Sequence, residues 1–185
     1  MVIIEEHNTQ ELPRKQRIVK IIRANVYKEI DAVTFKYADA AGLESKRVEN
    51  AISSDTQETL DAHLLARNIE LRDARVRILL RDVLDDSVEQ VQATDNLMLD
   101  PNIIYNLQLR ISFKDSLLRA LAIYIHRYLA WGALFDWYAA GIGSKQSKVF
   151  QDELDNLEGE ILNIIYSDDT EQKPLQPFGP AKYPM

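Results

Sequence analysis

Residues 102–141 constrain the fold of this chain more than any other stretch, because the spacing of apolar residues changes within it. In the first part, apolar side chains recur at every second position: Ile103, Tyr105, Leu107, Leu109, Ile111 and Phe113. A period of two is typical of a strand with one buried face. The second part, from Asp115 or Ser116 to Gly141, repeats with the period of a helix. The pattern predicts a strand that leads into a long central helix.

The central helix is apolar on two sides. One broad face is centred on Leu121 and Ile125, and the opposite side carries Ile123, Leu134 and Trp137. Such a helix has to be covered on most of its circumference, and a chain of 185 residues offers few elements to cover it. We therefore expect the first face to pack against the chain's own helices and the second face to contact a neighbouring subunit.

The predicted strand needs a hydrogen-bonding partner, because a lone strand leaves backbone groups unpaired. Residues 2–4, 88–92 and 97–99 are candidates within the chain, and a neighbouring copy is another. We expect a neighbouring copy to complete the strand, which makes Tyr105 and Leu109 subunit-contact residues as well.

Three further helices follow from apolar steps of three and four residues, over residues 13–41, 55–84 and 144–166. The first is predicted from the stripe Ile18, Ile22, Val26, Ile30, Val33 and Tyr37. The second depends on Leu60, Leu64, Leu71, Ala74 and Ile78, and the last on Phe150, Leu154, Leu157, Ile161 and Ile164. The chain is predicted to be mainly α, an antiparallel bundle of about four helices with a short strand or hairpin near residues 97–113.

Residues 167–185 differ in composition from residues 1–166, which we take as one helical domain. The segment holds four of the six prolines and is expected to run extended. Either it has no role, or it is a docking peptide anchored by its aromatic residues. We favour docking, by the proline and aromatic residues Pro174, Pro177, Phe178, Pro180, Tyr183 and Pro184.

The net charge and the distribution of charged residues indicate which kinds of partner the chain can bind. The formal net charge is -7, which argues against broad, non-specific phosphate binding. A local basic patch nevertheless lies near the start of the chain, at Arg14, Lys15, Arg17, Lys20 and Arg23. Two interpretations stay open for it: a solvated helix face, or a dock for an acidic partner or nucleic acid.

The chain has few residues suited to catalysis or to metal or cofactor binding. The chain has no cysteine, and its three histidines are far apart in sequence, so no catalytic, metal or cofactor site and no enzymatic activity are predicted. Asp136 borders the apolar face and needs a partner there, because a lone buried carboxylate is costly. We expect a salt bridge or cap that fixes packing, with a catalytic acid as the alternative. No apolar run approaches the roughly 18–20 residues that span a bilayer, so no membrane partner is predicted.

One resemblance sharpens these expectations. The order Tyr105-x-Leu107-x-Leu109, then residues 121–126 (LAIYIH), then residues 134–138 (LFDWY) resembles small head-to-tail connector proteins of tailed bacteriophages. It is closest in pattern to connector-like proteins of phages that infect Bacteroides-type hosts. In those proteins a strand-like Y-x-L-x-L leads into a helix that ends in L-x-D-W-[YF], followed by a glycine-containing turn and a final helix. The resemblance covers roughly residues 103–166.

The resemblance implies a structural virion protein, made in the host cytoplasm. Such proteins form a ring, commonly of twelve copies, beneath the portal protein, join head to tail and offer a platform for tail or further ring proteins. DNA passes through their channel without sequence-specific binding. Their C-terminal segments often reach the portal, which fits the Pro-rich tail. The alternative is a non-viral helical adaptor or regulatory bundle that binds a protein partner.

Overall fold

A computed structural model of the chain describes residues 13–36, 60–85, 101–140 and 144–167. The described residues form two strands and four helices, in the order β1 (Arg14–Ile22), α1 (Arg23–Lys36), α2 (Leu60–Leu79), β2 (Asn102–Arg110), α3 (Asp115–Ala140) and α4 (Ser144–Ser167). The prediction of a mainly helical chain with a strand between residues 97 and 113 is confirmed. Residues 43–52, for which the sequence predicts a short helix or turn, lie outside the described residues.

Residues 14–22 form a strand, so the predicted helix over residues 13–41 is wrong in its first third. Val19 and Ile21 are buried, whereas Ile18 is 59% exposed. Alternate side chains of a strand point to opposite faces, which explains why these neighbours differ. The run of β-branched residues favours this outcome, because they fit a pleated surface well.

The sheet consists of β1 and β2 paired antiparallel, with Val19 opposite Tyr105 and Ile21 opposite Ile103. Residues 83–85 follow the other edge of β2: the Asp85 N–H donates to the Asn106 carbonyl (2.9 Å), and the Gln108 N–H donates to the Val83 carbonyl (2.7 Å). The chain's own residues therefore pair with both edges of β2. The expectation that another chain completes this strand is wrong, and β1 was not among the partners considered.

Helix α1 continues β1 without a break. The Arg23 N–H donates to the carbonyl of Pro101, which ties this junction to the start of β2 (3.0 Å). Val26, Ile30 and Val33 are buried, as the helical spacing predicts for this part of the segment. The expected periodicity therefore holds at these three residues, and Tyr37, the last residue of the predicted stripe, lies outside the described residues.

Helix α2 is rotated relative to the prediction. Its buried residues include Leu65, Ile69 and Val76, whereas Leu71 and Ile78 are each 55% exposed. The sequence carries apolar residues on both sides of this helix, and the expected series selected the outward side. An apolar stripe thus stays on the surface of the described chain.

Helix α3 is the centre of the molecule and contacts α1, α2, α4 and β1. Leu121 and Ile125 are fully buried, as expected. Leu134 and Trp137 are also buried, at 0% and 3% exposure, so the prediction that they face a neighbouring subunit is wrong. The chain's own elements cover the first face and also Leu134 and Trp137, whereas Ile123 on the second side stays 59% exposed.

Helix α4 packs along α3 through the predicted seam of Phe150, Leu154, Leu157, Ile161 and Ile164, all of which are buried. The ring of Phe150 stacks on Tyr138 (centroids 5.5 Å apart) and meets the edge of Trp131 (5.6 Å). These aromatic contacts join the C-terminal half of α3 to the start of α4.

Candidate functional site

The outward face of the β1–β2 sheet carries three isoleucines. Ile18, Ile22 and Ile104 are 59%, 46% and 41% exposed. Ile104 lies opposite Lys20, so Ile18 and Ile22 are its diagonal neighbours on the same face. Diagonal neighbours across two strands lie within about 7–8 Å of each other, which is within reach of long side chains. We call these three residues the isoleucine face.

The strand divides the predicted basic patch between two faces. Arg14, Lys15 and Lys20 are exposed, whereas Arg17 forms an ion pair with Asp115 across 3.3 Å. Arg23 is 8% exposed and is paired with Glu70. The interpretation of this patch as one solvated helix face is wrong, because residues 14–22 are not helical. Lys20 lies between Ile18 and Ile22 on β1 and directly opposite Ile104, so the three isoleucines surround a basic residue, and Arg14 lies on the same side of β1.

The isoleucine face is presented on a firmly held sheet. Its inward side is formed by Val19, Ile21, Tyr105 and Leu107, which belong to the core. The hydroxyl of buried Tyr105 donates to Asp73 of α2 (2.6 Å). Burial raises the pKa of Tyr105, and the neighbouring Asp73 carboxylate raises it further. The phenol therefore stays protonated and keeps donating, which fixes the sheet to α2.

Of the five predicted subunit-contact residues, one is exposed. Ile123 is 59% exposed on α3, and its contact with a neighbour stays a prediction. Tyr105 and Leu109 face inward from β2, at 0% and 3% exposure. Together with Leu134 and Trp137, they are core residues of this chain. The sequence pattern identified their apolar character correctly but assigned it to the wrong partner.

Asp136 has the partner that its position requires. The guanidinium of Arg72 donates to both carboxylate oxygens, from Nε at 2.8 Å and from Nη2 at 2.5 Å. Burial alone would lower the pKa of Arg72, but its hydrogen bonds and charge interaction with Asp136 raise the pKa overall. The prediction that Asp136 forms a salt bridge is thus confirmed. Because both of its oxygens accept hydrogen bonds from Arg72, the Asp136 carboxylate serves to hold this guanidinium in place.

A second set of polar contacts joins α2, α3 and α4. The Tyr128 hydroxyl of α3 donates to Glu158 of α4 (2.6 Å), and Arg75 of α2 donates to both oxygens of Glu158 (3.2 and 3.1 Å). Burial raises the pKa of Tyr128 to about 12, with the Glu158 hydrogen bond adding to the effect. Burial would also raise the pKa of Glu158, but the hydrogen bonds from Arg75 and Tyr128 lower it overall. These groups serve packing between helices.

The part of the chain that the structure describes contains no group of three or more histidine, aspartate or glutamate side chains that could hold a metal ion. Within the same residues, no helix has the length and hydropathy needed to cross a membrane. On α3, His126 Nε2 is buried and has no hydrogen-bond partner among the residues that the structure describes. The predicted docking residues Pro174, Pro177, Phe178, Pro180, Tyr183 and Pro184 lie outside the described residues.

Comparisons with known proteins add no relative. No protein-family model, no curated protein and no solved structure matches this chain. The isoleucine face is therefore the candidate site that the geometry itself provides.

Proposed function

We propose that this protein is a structural subunit that binds other proteins through the isoleucine face, and that it works in the virion of a tailed bacteriophage. In this role it forms a ring beneath the portal, joins head to tail and extends the DNA channel. The four helices act as an antiparallel bundle that carries the sheet, and the Pro-rich tail docks onto the portal. The phage assignment depends on the resemblance of residues 103–166 to connector proteins.

The observation that carries the proposal is the exposure of Ile18, Ile22 and Ile104 on one side of a sheet whose other side is core. Single exposed apolar residues are ordinary on protein surfaces, but a contiguous group with a polar border is typical of a contact site. Here the polar residues are Lys20, which stands among the three isoleucines, and Arg14, which lies four residues from Ile18 on the same side of β1. A partner that covers the three isoleucines and carries acidic groups fits this surface.

The same surface also fits the alternative, a helical adaptor outside any virion. The two proposals differ in what they predict about assembly. A connector forms large rings and binds a portal protein, whereas an adaptor stays a monomer or dimer and binds a peptide or helix. The size of the assembly therefore separates them.

The test is portal binding, measured with the portal protein encoded by the same genome. The unmodified chain is expected to bind, and Ile18→Glu/Ile104→Glu is expected to bind at least about tenfold more weakly, because burying unpaired carboxylates in a contact costs several kcal/mol. The matched control is Ile111→Glu. Ile111 is 59% exposed but lies beyond the end of β2, about 23 Å along the strand from Ile104.

Equal binding by the double variant and the unmodified chain would remove the isoleucine face from the proposal. No binding and no assembly by the unmodified chain, with portal present at high concentration, would overturn the connector function itself. Thermal melts of both variants check that each is folded.

A further inference from the structure

Helix α2 presents an apolar stripe to the outside. Arg67, Leu71, Ala74 and Ile78 recur at steps of four, three and four, which places them on one side of the helix, and Arg81 follows two residues after the helix ends at Leu79. All five are exposed, and Leu71 and Ile78 are 55% exposed each. We call these five residues the α2 stripe.

The α2 stripe is apolar at its centre and positive at both ends. Arg67 is exposed at one end. Arg81 at the other end has a side chain that is 76% exposed, and its ion pair is with its sequence neighbour Asp82 at 3.5 Å. Such exposed pairs contribute little energy. Both arginines are therefore free to pair across an interface, and the surface that fits them is acidic and able to receive two large apolar side chains.

Helix α4 of the same chain presents such a surface. Asp152, Asp155 and Gly159 follow one another at steps of three and four on its outward side, opposite the buried seam. A Cβ added at Gly159 would meet nothing within 4 Å. Glycine costs a helix about 1 kcal/mol relative to alanine, and no contact within the described chain explains this one. We call Asp152, Asp155 and Gly159 the α4 face.

We propose that the α2 stripe of one copy packs on the α4 face of a second copy. Arg67 and Arg81 lie seven residues from Ala74 on either side, and Asp152 lies seven residues from Gly159. The two helices can thus approach at Ala74 and Gly159 while an arginine reaches an aspartate two turns away. Leu71 and Ile78 cover the bare helix around Gly159.

The two surfaces are different, so each copy offers one of each. A contact between unlike surfaces is heterologous, and its repetition generates a closed ring or an open filament. The inference deepens the proposed function and rests on it, since it names the subunit contact of the proposed ring. The partner of the α2 stripe is then a second copy of this chain.

Charge reversal tests this contact. The stripe variant is Arg67→Glu/Arg81→Glu, and the face variant is Asp152→Arg/Asp155→Arg. Each alone is expected to raise the concentration needed for half-assembly by at least about tenfold, because like charges then face each other. An equal mixture of the two variants restores opposite charges at every contact, and so does one chain with all four changes. Both are expected to assemble like the unmodified chain.

The matched control is Lys28→Glu/Arg119→Glu, which changes two exposed basic residues elsewhere and alters the net charge as the stripe variant does. It is expected to assemble normally in mass photometry. Normal assembly by both reversed variants would overturn the inference and leave the proposed function standing. The inference would also be overturned if the mixture of the two variants assembled as poorly as each variant does alone. If the chain lacking residues 168–185 assembles at a lower concentration than the full chain, those residues cover the α2 stripe, which contradicts the inference.

Discussion

Gly132 shows how one residue joins two helices. It is buried on α3, and a Cβ at this position would lie 2.5 Å from Cδ and 2.7 Å from Cγ of Arg72. The missing side chain therefore leaves room for Arg72 to cross α3 and reach Asp136, with its guanidinium 5.3 Å from the centre of the Phe135 ring. A glycine at the centre of an apolar helix face predicts a close approach. In this structure the side chain of Arg72 makes that approach.

Gly132→Ala is expected to lower the free energy of unfolding by about 1–2 kcal/mol, because Arg72 is held by Asp136 and cannot move away without loss. The matched control is Gly159→Ala, which meets nothing and should raise stability by about 1 kcal/mol through helix propensity. Urea denaturation measures both. A stabilising effect of Gly132→Ala would show that Arg72 is not fixed in this position.

The lowered pKa of Glu158 predicts that the stability of the folded chain depends on pH. Its pKa is lowered in the folded chain, where hydrogen bonds from Arg75 and Tyr128 outweigh the effect of burial. The unfolded state then binds a proton more readily than the folded state, so this contribution is present above the ordinary pKa and is lost as the pH falls through the folded pKa. Glu158→Gln should therefore lose less stability than the unmodified chain between about pH 5 and about pH 3. Urea titrations at these pH values measure both proteins, and an equal loss of stability in Glu158→Gln and in the unmodified chain would contradict this prediction.

At the scale of elements, β1 explains why part of the fold was unpredictable. Ile18 and Ile22 are four residues apart, and a step of four keeps two side chains on one side of a helix and also on one face of a strand. The pattern therefore could not distinguish the two. The burial of Val19 and Ile21 decides it. Long-range pairing with β2 selects the strand, and no local pattern reports such pairing.

Substitutions at two adjacent positions test the strand. Val19→Ala is expected to cost about 2 kcal/mol of stability because Val19 is buried. Ile18→Ala should change stability by less than about 0.5 kcal/mol, because Ile18 faces outward. Denaturant titrations compare the two. A larger loss at Ile18 would support the helix that the sequence spacing suggested.

The strand β2 and the helices α3 and α4 were predictable for a different reason. The alternation at Ile103, Tyr105, Leu107 and Leu109 has a single interpretation, and all four residues are buried. Helix α4 likewise has one apolar side. Helix α2 has two apolar sides, so its sequence could not show which side faces the core. The isoleucine face was missed because it depends on the pairing of β1 with β2.

At the scale of the whole molecule, α3 is covered within one chain. Helices α1, α2 and α4 and strand β1 all contact it, so its apolar circumference is not by itself a reason to expect neighbours. The surfaces that call for neighbours lie elsewhere, on the isoleucine face and the α2 stripe. The proposal of an assembling protein therefore depends on exposed side chains and not on the buried helix that first suggested it.

The tail gives a prediction at this scale. Deleting residues 174–185 should leave the melting temperature unchanged, because the helical pattern of apolar residues ends at Tyr166. Portal binding should weaken, since the tail is proposed to dock there. Thermal melts and binding measurements test the two halves separately. A large fall in the melting temperature would make the tail part of the folded core.

Electron microscopy of the purified chain, alone and mixed with its portal protein, shows directly whether the chain assembles into a connector. We expect closed rings with a central channel, formed by repeated contact between unlike surfaces of identical subunits. Monomers or dimers at high protein concentration in both samples would contradict it.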